Sequence, residues 1–261
     1  MAFPIFSRLA EAGNVEAQYH LGIMYHYGEG MPPDQKKAFA WRLKAANSGH
    51  AGAQADLGVM YFKGQGTKID KKEATRWSRA SAEQGNPIGQ RNLGLGYLEG
   101  DGITKNIQLA LKWLSAAAEE GDERSFIYLA RIYDRGEGVK RDPKEAFRWL
   151  AKGAVNGSQT AQLELAKRYF DGRGTEKNLV KARMWARLLG GNGDVGSLIT
   201  FNNGQVSVGE KSTSIRVPAL QLAKKAEQAM SPAQIEQSDA LRQVCLDEQD
   251  PELSIAACGL R

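Results

Sequence analysis

Apolar residues recur along this chain at helical spacing, and the helical stretches themselves recur every 36 residues. In the first full copy Ala17, Leu21 and Tyr25 stand four apart, one stripe of a helix ending near Tyr27. The stripe returns through Leu57, Leu93, Leu129 and Leu165, and through Tyr61, Tyr97, Tyr133 and Tyr169. A second helix carries Ala38, Trp41 and the small pair Ala45-Ala46 on its inner side. All five tryptophans, Trp41, Trp77, Trp113, Trp149 and Trp185, share that register. Polar punctuation keeps the same beat. Six glycines from Gly13 to Gly193 fall one period apart, and Gly-x-Gly follows each first helix, as at Gly28 and Gly30. A fixed period of this length marks a stacked-repeat architecture.

Each unit is predicted to be two helices. Asn14, His50, Asn86, Asp122 and Ser158 stand where the first helix needs a cap. Asp34, Asp70, Asn106, Asp142 and Asn178 do the same for the second. Glu73 and Glu145 complete the spacing of a capping box, and Pro87 and Pro143 occupy tolerated first-turn positions. Small residues at the Ala17 and Gly22 positions let helices approach closely, while Trp and Tyr are expected to fill the space between them. On that reading, Trp113→Ala costs about 3–5 kcal/mol.

The string Ala17-Gln18, Leu21-Gly22, Tyr25, Gly28, Gly30, Asp34, Ala38, Trp41, Ala45-Ala46 resembles the Sel-1-like repeat, a relative of the tetratricopeptide repeat. The resemblance implies an all-α fold: a right-handed α/α superhelix (solenoid) of 36-residue helix-turn-helix repeats, first helices lining the concave side. It further implies a non-catalytic adaptor that binds another protein or peptide segment, often in bacterial signalling or at the cell envelope. An immunity protein neutralising a secreted toxin is an alternative; an envelope glycan binder or hydrolase is another, but no clustered acid-base residues support it. The expected layout is the second half of a truncated repeat at 1–13, five full repeats over 14–192 and a degenerate sixth repeat with a loop at 193–217. Capping helices follow over 218–261. Residues 199–217 lose the helical period, and a small hairpin around Asn202-Asn203-Gly204 and a surface loop are both compatible with them. Cys245 and Cys258 flank the turn signal Asp250-Pro251; a disulfide and two small buried thiols are both open.

Charge changes little in this picture. The net charge is +5 with a pI near 9.1, but Lys and Arg are spread over all units and alternate with acids. No basic run is interleaved with aromatics, so a solvated face is expected and no nucleic acid. No apolar run is long enough for a membrane span. The start lacks the regions of a signal peptide, yet Phe3–Gly13 aligns with Phe39–Gly49. We therefore expect the first helix, and an export signal, in residues upstream; a periplasmic or secreted location is expected, with a cytoplasmic one as alternative. The Gly-x-Gly loops follow helices and lack a third glycine, which argues against a phosphate loop. The three histidines, His20, His26 and His50, do not share a face with carboxylates, and no nucleophile elbow is present. No cofactor, metal or enzymatic activity is expected.

Function is sought where units differ. One stripe of the first helix carries His20, Asp56, Asn92, Tyr128 and Glu164 in one column and Ile23, Val59, Leu95, Arg131 and Lys167 in the next. Its third column is Tyr27, Lys63, Glu99, Arg135 and Asp171. The stripe is apolar-leaning early and charged late. These residues are the expected partner-binding surface, with Arg131, Arg135 and Lys167 meeting acidic groups.

Overall fold

The computed structural model describes residues 2–190, 200–202, 205–207 and 210–247. They form thirteen helices and one two-stranded ribbon, and the chain divides into two compact units between Ser125 and Phe126. The first unit holds α1 (Ala2–Glu11), α2 (Val15–Tyr27), α3 (Gln35–Asn47), α4 (Ala51–Lys63), α5 (Lys71–Ala82), α6 (Pro87–Glu99) and α7 (Ile107–Glu119). Helix α8 (Glu123–Arg135) starts at the division, and the second unit continues with α9 (Pro143–Val155), α10 (Gln159–Asp171) and α11 (Leu179–Gly190). A ribbon of β1 (Thr200–Asn202) and β2 (Gln205–Ser207) follows, antiparallel, with Phe201 opposite Val206. Then come α12 (Glu210–Glu227) and α13 (Pro232–Asp247). Within each unit a helix packs chiefly on its neighbours in sequence, the pattern of a helical repeat.

The caps explain where the helices begin. Asn14, Asn86 and Ser158 accept a hydrogen bond from the amide three residues on, as do Asp34, Asn106 and Asn178 at the second helices. His50 serves the same purpose: its Nδ1 accepts from the Ala53 amide at 3.0 Å. At Asp70 and Asp142 only half of the capping box forms. Their carboxylates take the amides of Glu73 and Glu145, but those glutamates turn away to pair with Arg76 and Arg148. A charge-assisted bond to a guanidinium outcompetes the return bond to the backbone.

Repeating contacts stack the hairpins. Gln18, Gln54 and Gln162 each reach back from a first helix to the carbonyl of Ala10, Ala46 and Ala154, at 3.2, 3.1 and 3.0 Å. Phe3, Phe39 and Phe147 meet Tyr25, Tyr61 and Tyr169 edge-on, with ring centroids 5.8, 5.3 and 5.4 Å apart. Burial pushes the Tyr169 phenol up to about 12. The glycine columns have different physical causes. Gly157 has φ +85° with open space around it, so only its left-handed backbone demands glycine. Gly174 also has positive φ, but a Cβ there would lie 2.0 Å from the Pro143 carbonyl oxygen at the start of α9. The second glycine of Gly-x-Gly thus lets one loop seat directly on the preceding second helix.

The tryptophans are less uniform than their register suggests. Trp77 and Trp185 are buried, but Trp41, Trp113 and Trp149 are half-buried. A lysine lies over each of these three rings: Lys44 at 3.9 Å, Lys112 at 5.4 Å and Lys152 at 4.6 Å from the centroid. Near the C-terminal end, α12 begins at Glu210, before the expected Pro218, and carries that proline inside it. It docks on α11 through Glu227, which accepts from Arg183 at 2.8 Å and Arg187 at 2.7 Å, while Asp239 of α13 takes Arg183 at 2.6 Å. Cys245 is partly buried against this core, and Cys258 lies outside the described residues, as do 193–199, 203–204 and 208–209 of the expected sixth repeat and loop.

Candidate partner-binding surface

The three first-helix columns expected to bind a partner lie on one graded face. The columns of His20 and of Ile23 are half-buried in every unit, and the column of Tyr27 is exposed in every unit. The columns beside them, of Leu21 and Met24, are buried throughout. A helix docked by Leu21 and Met24 must present Tyr27 to water, because 100° per residue puts that position past the edge of the packed stripe.

In the first unit the face is apolar along its middle, through Ile23, Val59 and Leu95, with Tyr27 69% exposed at one end. Its polar members are held by neighbours. Buried Arg42 of α3 reaches Asp56 of α4 at 2.9 Å, and burial pushes the Asp56 carboxyl up even though Arg42 pulls the other way. Contrary to the expectation that the histidines share no face with a carboxylate, Glu16 stands one turn before His20, at 3.3 Å, and 3.1 Å from His50 Nε2. Because His50 Nδ1 accepts the Ala53 amide, the ring proton sits on Nε2 and points to Glu16. The Tyr19 ring covers His50 at 4.3 Å, and burial raises its phenol. Asn92 is half-buried; Lys63 and Glu99 are exposed.

The second unit is different in kind. A cleft of about 380 Å³ opens between α8, α9 and α10, with Ile127, Ala130 and Leu150 as apolar lining. Around them stand five arginines, Arg131, Arg135, Arg141, Arg168 and Arg173, against two carboxylates, Asp134 and Glu164. The structure thus brings Arg131, Arg135 and Glu164 together. It leaves Lys167 outside the lining, 2.6 Å from Glu164. Tyr128 is half-buried with Arg131 over its ring at 5.0 Å, and Asp171 is exposed. Arg168 is 2% exposed, in a tight ion pair with Asp134. Arg141 donates to the Asp134 backbone carbonyl at 2.9 Å, and Arg135 pairs with Glu137 at 3.1 Å.

Three of these arginines lie off the stripe that variation singled out, and each has a column of its own. Arg168 follows Met24, Met60, Gly96 and Ile132; Arg173 follows Glu29, Gln65, Asp101 and Glu137; Arg141 follows Pro33, Ile69 and Lys105. A cation that replaces apolar residues or inverts an acidic column is the signal that would have found the first two. Chemically the cleft offers fixed guanidinium donors for an anion. Among the described residues no three His, Cys, Asp or Glu gather as a metal site, and no helix is long and apolar enough to cross a membrane.

The comparisons agree with the helical-repeat fold. The family model described as the Sel1 repeat matches residues 15–50, 51–86, 87–122, 127–158 and 159–194. The chain is 33% identical to c5321, a protective antigen of uropathogenic Escherichia coli strains displaying an SLR fold, with a TM-score of 0.67. That match covers 97% of this chain and 54% of c5321, so the chain spans about half the length of that relative. A Sel1 repeat protein from Oxalobacter formigenes is 32% identical, with a TM-score of 0.65, over 83% of this chain and 89% of its own. No curated protein matches the chain.

Proposed function

We propose that this chain, which belongs to the Sel1 repeat family, is a non-catalytic scaffold that binds a segment of another protein along its first helices. One observation carries the reading: the first-helix columns of His20, Ile23 and Tyr27 change chemistry from unit to unit and stay accessible, while the columns beside them are buried. Packing explains the buried columns and leaves recognition to the variable ones. The first unit offers apolar contact through Ile23, Val59 and Leu95; the second offers cations through Arg131 and Arg135. A place in a bacterial envelope or signalling system is the setting we favour, supported by the antigen among its relatives.

Photocrosslinkers at Tyr27, Lys63 and Glu99, all exposed on first helices, test it against crosslinkers at Lys36, Lys72 and Gln108, all exposed on second helices. In the native host the first set should trap one partner and the second should not. Equal trapping from both sets would remove the first-helix face as the binding surface.

A further inference from the structure

Building on the scaffold reading, we infer that the arginine cleft of the second unit receives paired carboxylates from an acidic segment of the partner. In the first unit Arg91 pairs with Asp122 and Lys71 with Asp101, one cation to one acid. The cleft lining instead sets five arginines against two carboxylates. Asp134 is taken by Arg168, Glu164 by Lys167 and Glu137 by Arg135. Arg131, Arg141 and Arg173 then have no carboxylate of their own among the described residues. Arg131 rests on the Tyr128 ring, and its buried Nε has no acceptor. Arg141 places its Nε on a backbone carbonyl. Arg173 comes within 3.5 Å only of the Asp134 oxygen that Arg168 already holds. Like charges held this close raise the affinity for an incoming anion.

The chemistry selects carboxylates. Planar guanidinium forks match carboxylate oxygens two at a time, and the apolar lining of Ile127, Ala130 and Leu150 suits the methylenes that carry them. A nucleic-acid strand would need open aromatic faces for its bases, and the ring at hand, Tyr128, is covered by Arg131. Asp134 and buried Arg168 form the fixed base of the site, and Arg131, Arg135, Arg141 and Arg173 its receiving edge.

The chain supplies its own fold-compatible test variants. Leucine stands at the Arg131 column as Leu95, and glutamate at the Arg173 column as Glu29 and Glu137. The probe is a fluorescein-labelled peptide with adjacent glutamates among alanines and leucines, compared with its Gln-for-Glu counterpart by anisotropy. The wild-type chain should bind the glutamate peptide at least about tenfold more tightly than the glutamine one, with an affinity that falls as salt rises. Arg131→Leu with Arg173→Glu should abolish that preference while thermal unfolding stays unchanged. If that pair disturbs folding, Arg135→Glu at its exposed position should weaken binding severalfold in a folded protein. Equal binding of both peptides, binding of neither, or an unaffected double variant would overturn the assignment. So would displacement of the peptide by inorganic phosphate at lower concentration than by free glutamate. The crosslinks from Tyr27, Lys63 and Glu99 do not depend on this cleft, so the peptide result can fail while the scaffold stands, or the reverse.

Discussion

The ion pair of Asp134 and Arg168 occupies positions that one repeat earlier hold Leu98 and Ile132, and this makes its energetic role measurable. Arg168 is 2% exposed and the Asp134 side chain 19%. The other bonds of Arg168, to the carbonyls of Pro143 and Arg173, are long at 3.3 and 3.4 Å, so the carboxylate is its main compensation. Asp134→Leu alone strands a buried guanidinium and should cost about 3–5 kcal/mol. Asp134→Leu with Arg168→Ile removes both charges and fills the space as the previous unit does. That double variant should lie within about 1 kcal/mol of the wild type or be more stable. Because stacked repeats open segment by segment, hydrogen exchange on peptides from α8 and α10 is the appropriate assay, with a urea titration beside it. If the double variant opens as readily as the single one, apolar packing does not replace the pair, and the premise that it sits in a core position is wrong.

Two further outcomes follow from burial and charge. Trp185→Ala should cost about 3–5 kcal/mol, whereas Trp113→Ala, with its ring half-exposed under Lys112, should cost clearly less; equal losses in denaturant titration would contradict the burial difference. Burial alone would raise the Glu227 carboxyl, but hydrogen bonds from Arg187 and Arg183 outweigh it and hold the group below its ordinary 4.5. A carboxyl depressed on folding contributes stability above its unfolded value, and that contribution is lost as pH falls through the folded value. Glu227→Gln should therefore be less stable than the wild type near neutral pH, with the gap closing below 4.5; a gap constant with pH would contradict the linkage.

The repeat made the helices legible because each side chain was read several times over. Asn14, Asn86 and Ser158 in one column, and Asp34 in another, can be named as caps because each column holds a side-chain hydrogen-bond acceptor in every repeat. Single deviations were harder to read. The expected helical segment begins at Pro218, yet α12 starts at Glu210 and accommodates that proline within the helix. The capping boxes at Glu73 and Glu145 were half right, since sequence spacing does not reveal that Arg76 and Arg148 bid for the same carboxylates. Of the cleft, Arg131 and Arg135 lay in columns chosen for their variability, but Arg141, Arg168 and Arg173 come from the following turn or from a buried position. Assembling them needs the fold of α8 against α10, which periodicity alone does not supply.

The contrast between Gly157 and Gly174 bears on how such a chain can grow. The bend at Gly157 is surrounded by open space, as are those at Gly49, Gly85 and Gly121, so extra residues there would project into solvent without disturbing the stack. The loop at Gly174 is seated against the backbone of α9, as those at Gly66 and Gly102 are against α3 and α5, and lengthening it would pry neighbouring hairpins apart. Epitope tags, and natural insertions in related chains, belong at the first kind of bend.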